Sequence, residues 1–383
     1  MDFSLGWILL GLPLAFTLGW AASRFDLRQI RLENRDAPKA YFKGLNYLLN
    51  EQQDQAIDAF IEAVQNDPDT SELHFALGNL FRRRGEYERA VRVHEHLLSR
   101  GDLSQADRHR AQHALALDFL KAGLLDHAES ALRKLEGTAF EQEARLALLA
   151  NYERSRDWVL ATEVASKLEQ SAPGSFAPRL AHYLCEQATS ATAQARNGDA
   201  HAFLQQAINQ APDAPRPRLD MARLQQAQGD LSAAQQTLLE ALVHAPAAAP
   251  LLAEALADVS LQLGNTSDAF ARLQALYEQS PSLDILAALV RLADGNTALS
   301  ERDLYARHLA QEPSLVAATR WIAQEKLEHE QFHPQVQRAL DHAVKPLLRY
   351  RCAACGFEAT HHFWQCPGCQ TWDSYPAKRV EEL

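Results

Sequence analysis

Small residues recur along the body of this chain at a nearly constant interval, and apolar residues follow each of them at fixed offsets. Ala56, Ala90, Ala128, Ala161, Ala200, Ala234 and Ala269 are separated by 34, 38, 33, 39, 34 and 35 positions. The first unit places Gly44, Tyr47, Ala56, Phe60, Ala63 and Pro68 at offsets 0, 3, 12, 16, 19 and 24, and Gly78, Phe81, Ala90 and Leu97 repeat four of those offsets. The units around Ala128, Ala161, Ala234 and Ala269 keep the small residue with apolar residues four and seven positions later. Around Ala200 the first half of the unit is the weakest. Apolar steps of three and four residues predict amphipathic helices, two to a unit.

Two antiparallel helices approach closely only where one offers Gly or Ala to a large side chain of the other, which explains why the small positions are kept. Pro68, Pro173, Pro212, Pro246, Pro281 and Pro313 fall after the expected second helices, where a ring that cannot continue a helix marks its end. Gly85, Gly123, Gly229 and Gly264 fall in the turn inside a pair, where positive φ is needed and glycine adopts it without steric cost. A generic alanine-rich bundle would not keep six prolines in phase. The pattern predicts seven helical pairs and an irregular eighth around residues 283 to 313, and a period near 34 is that of tetratricopeptide repeats. Such pairs bury their apolar faces only against neighbours and leave a long concave surface suited to holding protein.

The N-terminus departs from this pattern. From Phe3 to Ser23 no residue is charged, and a helix of that length, at ~1.5 Å per residue, covers the ~30 Å hydrocarbon core of a bilayer. Trp7 and Trp20 stand near its two ends. Arg24, Arg28, Arg31, Arg35 and Lys39 follow it, whereas Asp2 is the only charged side chain before it. Positive charge after the span places the remainder in the cytoplasm. A cleaved secretory signal at Ala21-Ala22-Ser23 would carry its positive charges before the apolar run, so an uncleaved anchor is the better reading.

Hydrophobic residues make up 47% of the chain, yet the mean hydropathy is -0.31, so the body beyond the anchor is expected to be water-soluble. A net charge of -11 disfavours nucleic acid, which requires a concentrated basic face. Four of the five cysteines form the pair of motifs Cys352-x-x-Cys355 and Cys366-x-x-Cys369. Two such knuckles bring four thiolates around one ion in the tetrahedral arrangement suited to zinc, and equally to iron in a rubredoxin-like centre. With all four positions filled by protein, no site remains to activate water, and a structural role follows. Phe357, Phe363, Trp364, Trp372 and Tyr375 are expected to form a small core around it, with Gly356 and Gly368 relieving backbone crowding in the two knuckles. Cys185 stands alone in a helical region and reads as a packing residue.

One motif points elsewhere. His329-Glu330-Gln331-Phe332-His333 matches the HExxH pattern, in which two imidazoles one helical turn apart hold zinc and the glutamate serves as base. Pro334 directly follows and disfavours helical backbone at His333, and no third ligand motif is evident. A zinc metallopeptidase using His329, Glu330 and His333 is the remote alternative. His94, His96 and His113 are expected on packing or solvated faces.

The expected architecture is all-α: a tetratricopeptide-repeat right-handed solenoid with an N-terminal transmembrane helix and a C-terminal rubredoxin-type metal knuckle. Its parts are an anchor over 1–23, a basic juxtamembrane linker over 24–39, the repeat array over 40–313, terminal helices and linker over 314–346, and the four-cysteine domain over 347–383. This order, together with Tyr350-Arg351-Cys352-Ala353-Ala354-Cys355-Gly356-Phe357, Trp364-Gln365-Cys366-Pro367-Gly368-Cys369, and the stretches Gly44 to Leu49 and Leu77 to Arg82, resembles the lipopolysaccharide assembly protein B family of Gram-negative bacteria. The resemblance covers the whole chain. It implies that Cys352, Cys355, Cys366 and Cys369 are rubredoxin-type ligands of one metal ion, zinc or iron. It also implies a non-enzymatic inner-membrane adaptor, N-terminus periplasmic and bulk cytoplasmic, that brings the LpxC deacetylase of lipid A synthesis to the FtsH protease. An inner-membrane lipopolysaccharide-sensing regulator would oppose it, and a homodimer is compatible with the sequence. The second reading is a general assembly platform for envelope biosynthesis enzymes without directed proteolysis. If the apolar run anchors the chain, alkaline carbonate washing of membranes will leave it in the pellet; release into the supernatant would refute the anchor.

Overall fold

The computed structural model describes residues 16–17, 20, 42–50, 52–66, 70–171, 176–293, 300–325 and 330–383. The anchor and linker expected over 1–39 therefore lie, apart from Phe16, Thr17 and Trp20, outside the described residues. Among the described residues no single helix is long and apolar enough to cross a membrane. The chain divides into two compact units, 1–157 and 158–383.

In the first unit, helix α1 covers 42–49, followed by α2 (Gln53–Asn66), α3 (Ser71–Arg83), α4 (Tyr87–Ser99), α5 (Gln105–Ala122), α6 (Leu125–Arg133) and α7 (Glu141–Ser155). Consecutive helices from α2 to α7 pack on one another, and α3 also meets α5, and α5 meets α7, as stacked pairs require. The crossing geometry sits where the small residues predict it. A Cβ added to Gly44 would lie 2.9 Å from the Phe60 ring, and one added to Gly78 would lie 2.5 Å from the ring of His94. Both glycines face the residue four positions after the keyed alanine of the second helix, so the same contact recurs with a different large partner.

The second unit comprises α8 (Trp158–Ser171), α9 (Ala177–Ala193), α10 (Asn197–Gln210), α11 (Pro215–Ala227), α12 (Leu231–His244), α13 (Ala249–Leu263), α14 (Ser267–Gln279), α15 (Leu283–Ala293), α16 (Glu301–Gln311), α17 (Leu315–Ala323) and α18 (His333–Val344), with the two-residue strands β1 (Tyr350–Arg351) and β2 (Glu358–Ala359). The strands pair antiparallel, Tyr350 opposite Ala359. An apolar spine runs without interruption from Leu219 in α11 to Val344 in α18. The helix whose pattern is weakest in the sequence, α9, has 17 residues, and buries Leu180, Tyr183, Leu184, Cys185, Ala188 and Ala191.

All seven keyed alanines open second helices and are 0% exposed. Four positions later stand Phe60, His94, Leu132, Ala165, Leu204, Leu238 and Leu273, every one buried. Pro212, Pro246, Pro281 and Pro313 each lie two residues beyond the last residue of α10, α12, α14 and α16; Pro68 and Pro173 lie outside the described residues. Gly85, Gly123, Gly229 and Gly264 have φ of 81, 78, 84 and 73°. Arg156 and Ala195 take the same left-handed turn at φ of 58 and 59° without being glycine, which is why the glycine pattern skips those turns.

In the first unit the apolar core holds a charged cluster. Asp118 of α5 is fully buried and meets His94 Nδ1 of α4 at 2.5 Å and the Arg82 guanidinium of α3 at 2.8 Å. Arg82 also donates to the Ala114 carbonyl and to Asn79 Oδ1. Three consecutive helices are thereby held in register by one carboxylate, and removing one partner of a buried ion pair costs more than the pair itself contributes. Asp118→Ala is expected to lower stability by roughly 3–5 kcal/mol, and Gly78→Ala by roughly 1–3 kcal/mol through overpacking against His94. Urea unfolding followed by far-UV circular dichroism measures both; a Gly78→Ala midpoint equal to the parent would refute the close crossing.

Candidate metal centre and its seat on the repeats

The four cysteines come from two loops with the same backbone plan. In the first, the Gly356 amide donates to the Cys352 carbonyl at 2.9 Å and the Cys352 amide to the Phe357 carbonyl at 2.9 Å. In the second, the Gln370 amide donates to the Cys366 carbonyl at 2.8 Å and the Cys366 amide to the Thr371 carbonyl at 2.9 Å. Each loop turns through a left-handed residue just after its second cysteine, Gly356 at φ 77° and Gln370 at φ 61°. Gly356 thus has the role expected of it. Gly368 does not: its φ is not in the left-handed region, and a Cβ there would meet only the Phe357 side chain, at an ordinary 3.5 Å. The strained position of the second knuckle is a glutamine, invisible to a search for glycine.

These loops bring all four sulfurs within 4.8 Å of one another. Cys352 Sγ and Cys369 Sγ are 3.8 Å apart, and Cys355 Sγ and Cys366 Sγ 3.7 Å. A tetrahedron of bonds of ~2.3 Å to zinc has edges of about 3.8 Å, so the cluster has the dimensions of a four-thiolate site, whereas a disulfide would need ~2.05 Å. The hydrogen-bond partners of Cys352 and Cys369 favour thiolate, whereas at Cys355 the Phe357 amide, which lowers the thiol, is outweighed by desolvation and the neighbouring sulfurs, which push it up to about 12. The Ser374 hydroxyl lies 3.3 Å from Cys352 Sγ, and with the amides of Cys355 and Ala354 it holds the Cys352 thiol down to about 6. The Thr371 hydroxyl and amide lower Cys369 in the same sense. Cys352 and Cys366 are buried, Cys355 exposed and Cys369 between.

The cluster is seated on the helices by residues that the motif does not contain. Trp372 stacks on His182 of α9 at 4.7 Å and meets Trp158 and Tyr183 edge-on. The next residue, Asp373, takes His182 Nε2 with both carboxylate oxygens at 2.9 Å. Arg216 of α11 donates to His182 Nδ1 at 3.3 Å and also pairs with Glu186 and Asp220. His182 therefore accepts at Nδ1 and donates at Nε2, one fixed tautomer held from both sides. Farther along, Asp284 of α15 receives Arg379 through Nε and Nη2 and the Tyr350 hydroxyl at 3.0 Å. The Arg379 guanidinium also lies 4.2 Å over the Tyr350 ring. The last residues cap two helices: Glu382 accepts from the Leu283 amide at the start of α15, and Glu381 from the Leu315 and Val316 amides and the Ser314 hydroxyl at the start of α17.

Among the described residues the other sequence candidates are not assembled into a site. His329 lies outside the described residues. Residues 330–332 form a 3-10 turn, and His333 is the first residue of α18. Pro334 does not expel His333 from helical backbone, as its position suggested, because a proline in the first turn begins a helix without losing a hydrogen bond. The break falls before His333, so Glu330 and His333 do not share one α-helix, as the peptidase motif requires. Among the described residues no second cluster of three metal-ligating side chains occurs. His94 is buried in packing and His96 is exposed. Cys185 is buried, and its thiol is pushed up by desolvation.

Stacked helix pairs and a four-cysteine cluster of this geometry define a tetratricopeptide-type repeat protein with a rubredoxin-like metal site. A family model described as rubredoxin metal binding domain matches residues 350–375, and one for the tetratricopeptide repeat matches residues 191–259. Along nearly its full length the chain is similar to lipopolysaccharide assembly protein B. It is 29% identical to that protein of Escherichia coli K12 over 377 residues, covering 96% of both chains, and 27% identical to that of Haemophilus influenzae over 403 residues, again 96% of both. Among solved structures, a tetratricopeptide repeat protein from Parabacteroides merdae matches at 14% identity and a TM-score of 0.35, over 67% of this chain and 98% of that one.

Replacing Cys352 by Ser is expected to abolish the single bound ion, read by elemental analysis; unchanged metal content would refute the site. Ser374→Ala removes the hydroxyl that favours the Cys352 thiolate, so the thiol moves back up toward its ordinary value and protons compete at higher pH. Metal release on acidification, followed with a chromogenic chelator, is then expected to begin at higher pH than in the parent; a shift downward would refute the assignment.

Proposed function

We propose that this protein is a membrane-anchored cytoplasmic scaffold that regulates lipopolysaccharide biosynthesis by bringing the LpxC deacetylase to the FtsH protease. The observation that carries this reading is the similarity to lipopolysaccharide assembly protein B over 96% of both chains, beside this chain's own repeat and rubredoxin-type matches. The anchor over 1–23, the linker over 24–39, the array over 40–313, the terminal helices over 314–346 and the metal domain over 347–383 are the parts it uses. Cys352, Cys355, Cys366 and Cys369 would hold one zinc or iron ion as a structural clasp, since four thiolates leave no position for water. The action is non-enzymatic: confining two partners to one membrane face raises their effective concentration without new chemistry. An inner-membrane lipopolysaccharide-sensing regulator would act on the same scaffold.

Depletion in the native host is expected to raise LpxC abundance several-fold, read by immunoblot after protein synthesis is stopped. Unchanged LpxC lifetime would remove the adaptor reading and leave the general assembly platform.

A further inference from the structure

The four sulfurs of the metal centre are not equally protected. Cys352 and Cys366, the first cysteine of each knuckle, are 1% and 0% exposed, whereas Cys355 is exposed and Cys369 half-buried. Hydrogen bonds separate the two outer sulfurs further. Cys369 Sγ lies 3.3 Å from the Thr371 hydroxyl and also meets the Thr371 amide. Cys355 meets the Phe357 amide and, among the described residues, no hydroxyl. Nothing bulky shields it from solvent: Ala353, Ala354, Gly356 and Phe357 beside it are themselves exposed, and all but Phe357 lack any side chain beyond Cβ.

These differences decide which sulfur reacts. Oxidation of a cysteine follows its thiolate character and its exposure, and donors that stabilise the anion make it a weaker nucleophile. Metal ligation requires all four cysteines as thiolates, so in a loaded site Cys355 is the most accessible and the least quenched of them. A second sulfur stands ready, since Cys366 Sγ of the other loop is 3.7 Å from Cys355 Sγ. An accessible thiolate beside a resolving one is what reversible thiol oxidation needs. The first knuckle is also tied to the segment that meets the repeats. The Ala353 amide donates to the Ser374 carbonyl at 2.7 Å, and the Ser374 hydroxyl lies 3.3 Å from Cys352 Sγ. Ser374 directly follows Trp372 and Asp373, which hold His182 of α9.

We propose that Cys355 is an oxidation site for hydroperoxides, and that its disulfide with Cys366 releases the metal ion and loosens the seat on α9. The Cys355 thiolate attacks one oxygen of hydrogen peroxide, the O–O bond breaks, and the products are the Cys355 sulfenic acid and hydroxide. The Cys366 thiolate then attacks that sulfur, the S–S bond forms and a second hydroxide leaves. The two sulfurs lose two electrons and the peroxide gains them, with two solvent protons turning the hydroxides into water. Two thiolates remain, too few to close a four-coordinate structural site. The inference rests on the four-thiolate site and not on which partners the repeats hold.

The full chain loaded with zinc provides the test. N-ethylmaleimide at less than one equivalent is expected to label Cys355 at least tenfold more than any other cysteine. One equivalent of hydrogen peroxide is expected to release the zinc, read with a chromogenic chelator. The near-UV circular dichroism of the tryptophans is expected to fall with that release while the far-UV signal stays. Trypsin with a glutamate-specific protease cuts after Glu358, between the knuckles, so mass spectrometry is expected to find the two cysteine fragments joined before reduction and separate after it. Labelling without preference for Cys355, zinc retained under excess peroxide, or a disulfide confined to one knuckle overturns the oxidation site. A near-UV signal unchanged on release overturns the coupling to α9. A chain that retains no zinc after gel filtration removes the four-thiolate site itself, whereas a zinc-bearing chain without the Cys355 preference removes this inference alone.

Discussion

The structure depends on how near two helix backbones can come. At the keyed alanines of the second helices no side-chain atom beyond Cβ separates the backbones, and at Gly44 and Gly78 even the Cβ is missing because Phe60 and His94 occupy its place. A methylene added at such a point has nowhere to go in an interior packed to crystal density. The residue that meets each crossing is less constrained, and Phe, His, Leu and Ala all serve four positions after the keyed alanine; that position carries the tolerance.

That tolerance explains what could be read from the sequence and what could not. The period, the prolines beyond second helices and the glycines at turns are backbone requirements, and each is met by one or two residue types. The turns at Arg156 and Ala195, and the Gln370 turn in the second knuckle, meet the same requirement with residues that carry no signal, because neighbouring hydrogen bonds hold the left-handed φ. Cysteine spacing revealed the cluster. Its seat was hidden, since His182 and Asp373 are 191 positions apart and Asp284 and Arg379 are 95 apart, and single residues at such separations form no pattern.

The knuckle and the helices beneath it stabilise each other by exchanging polar groups. The knuckle contributes Asp373 and Tyr350, and the tail contributes Arg379, Glu381 and Glu382; the repeats contribute His182, Asp284 and the free amides of α15 and α17. Helix N-termini carry unsatisfied N–H groups and partial positive charge, so a carboxylate arriving from the chain's end satisfies a need that Ser314 alone meets only in part. A metal ion that orders the two cysteine loops therefore also fixes Trp372 and Asp373 against α9. Structural zinc supplies roughly 10–16 kcal/mol of ordering in small domains, far more than the few kcal/mol of any one cap or stack.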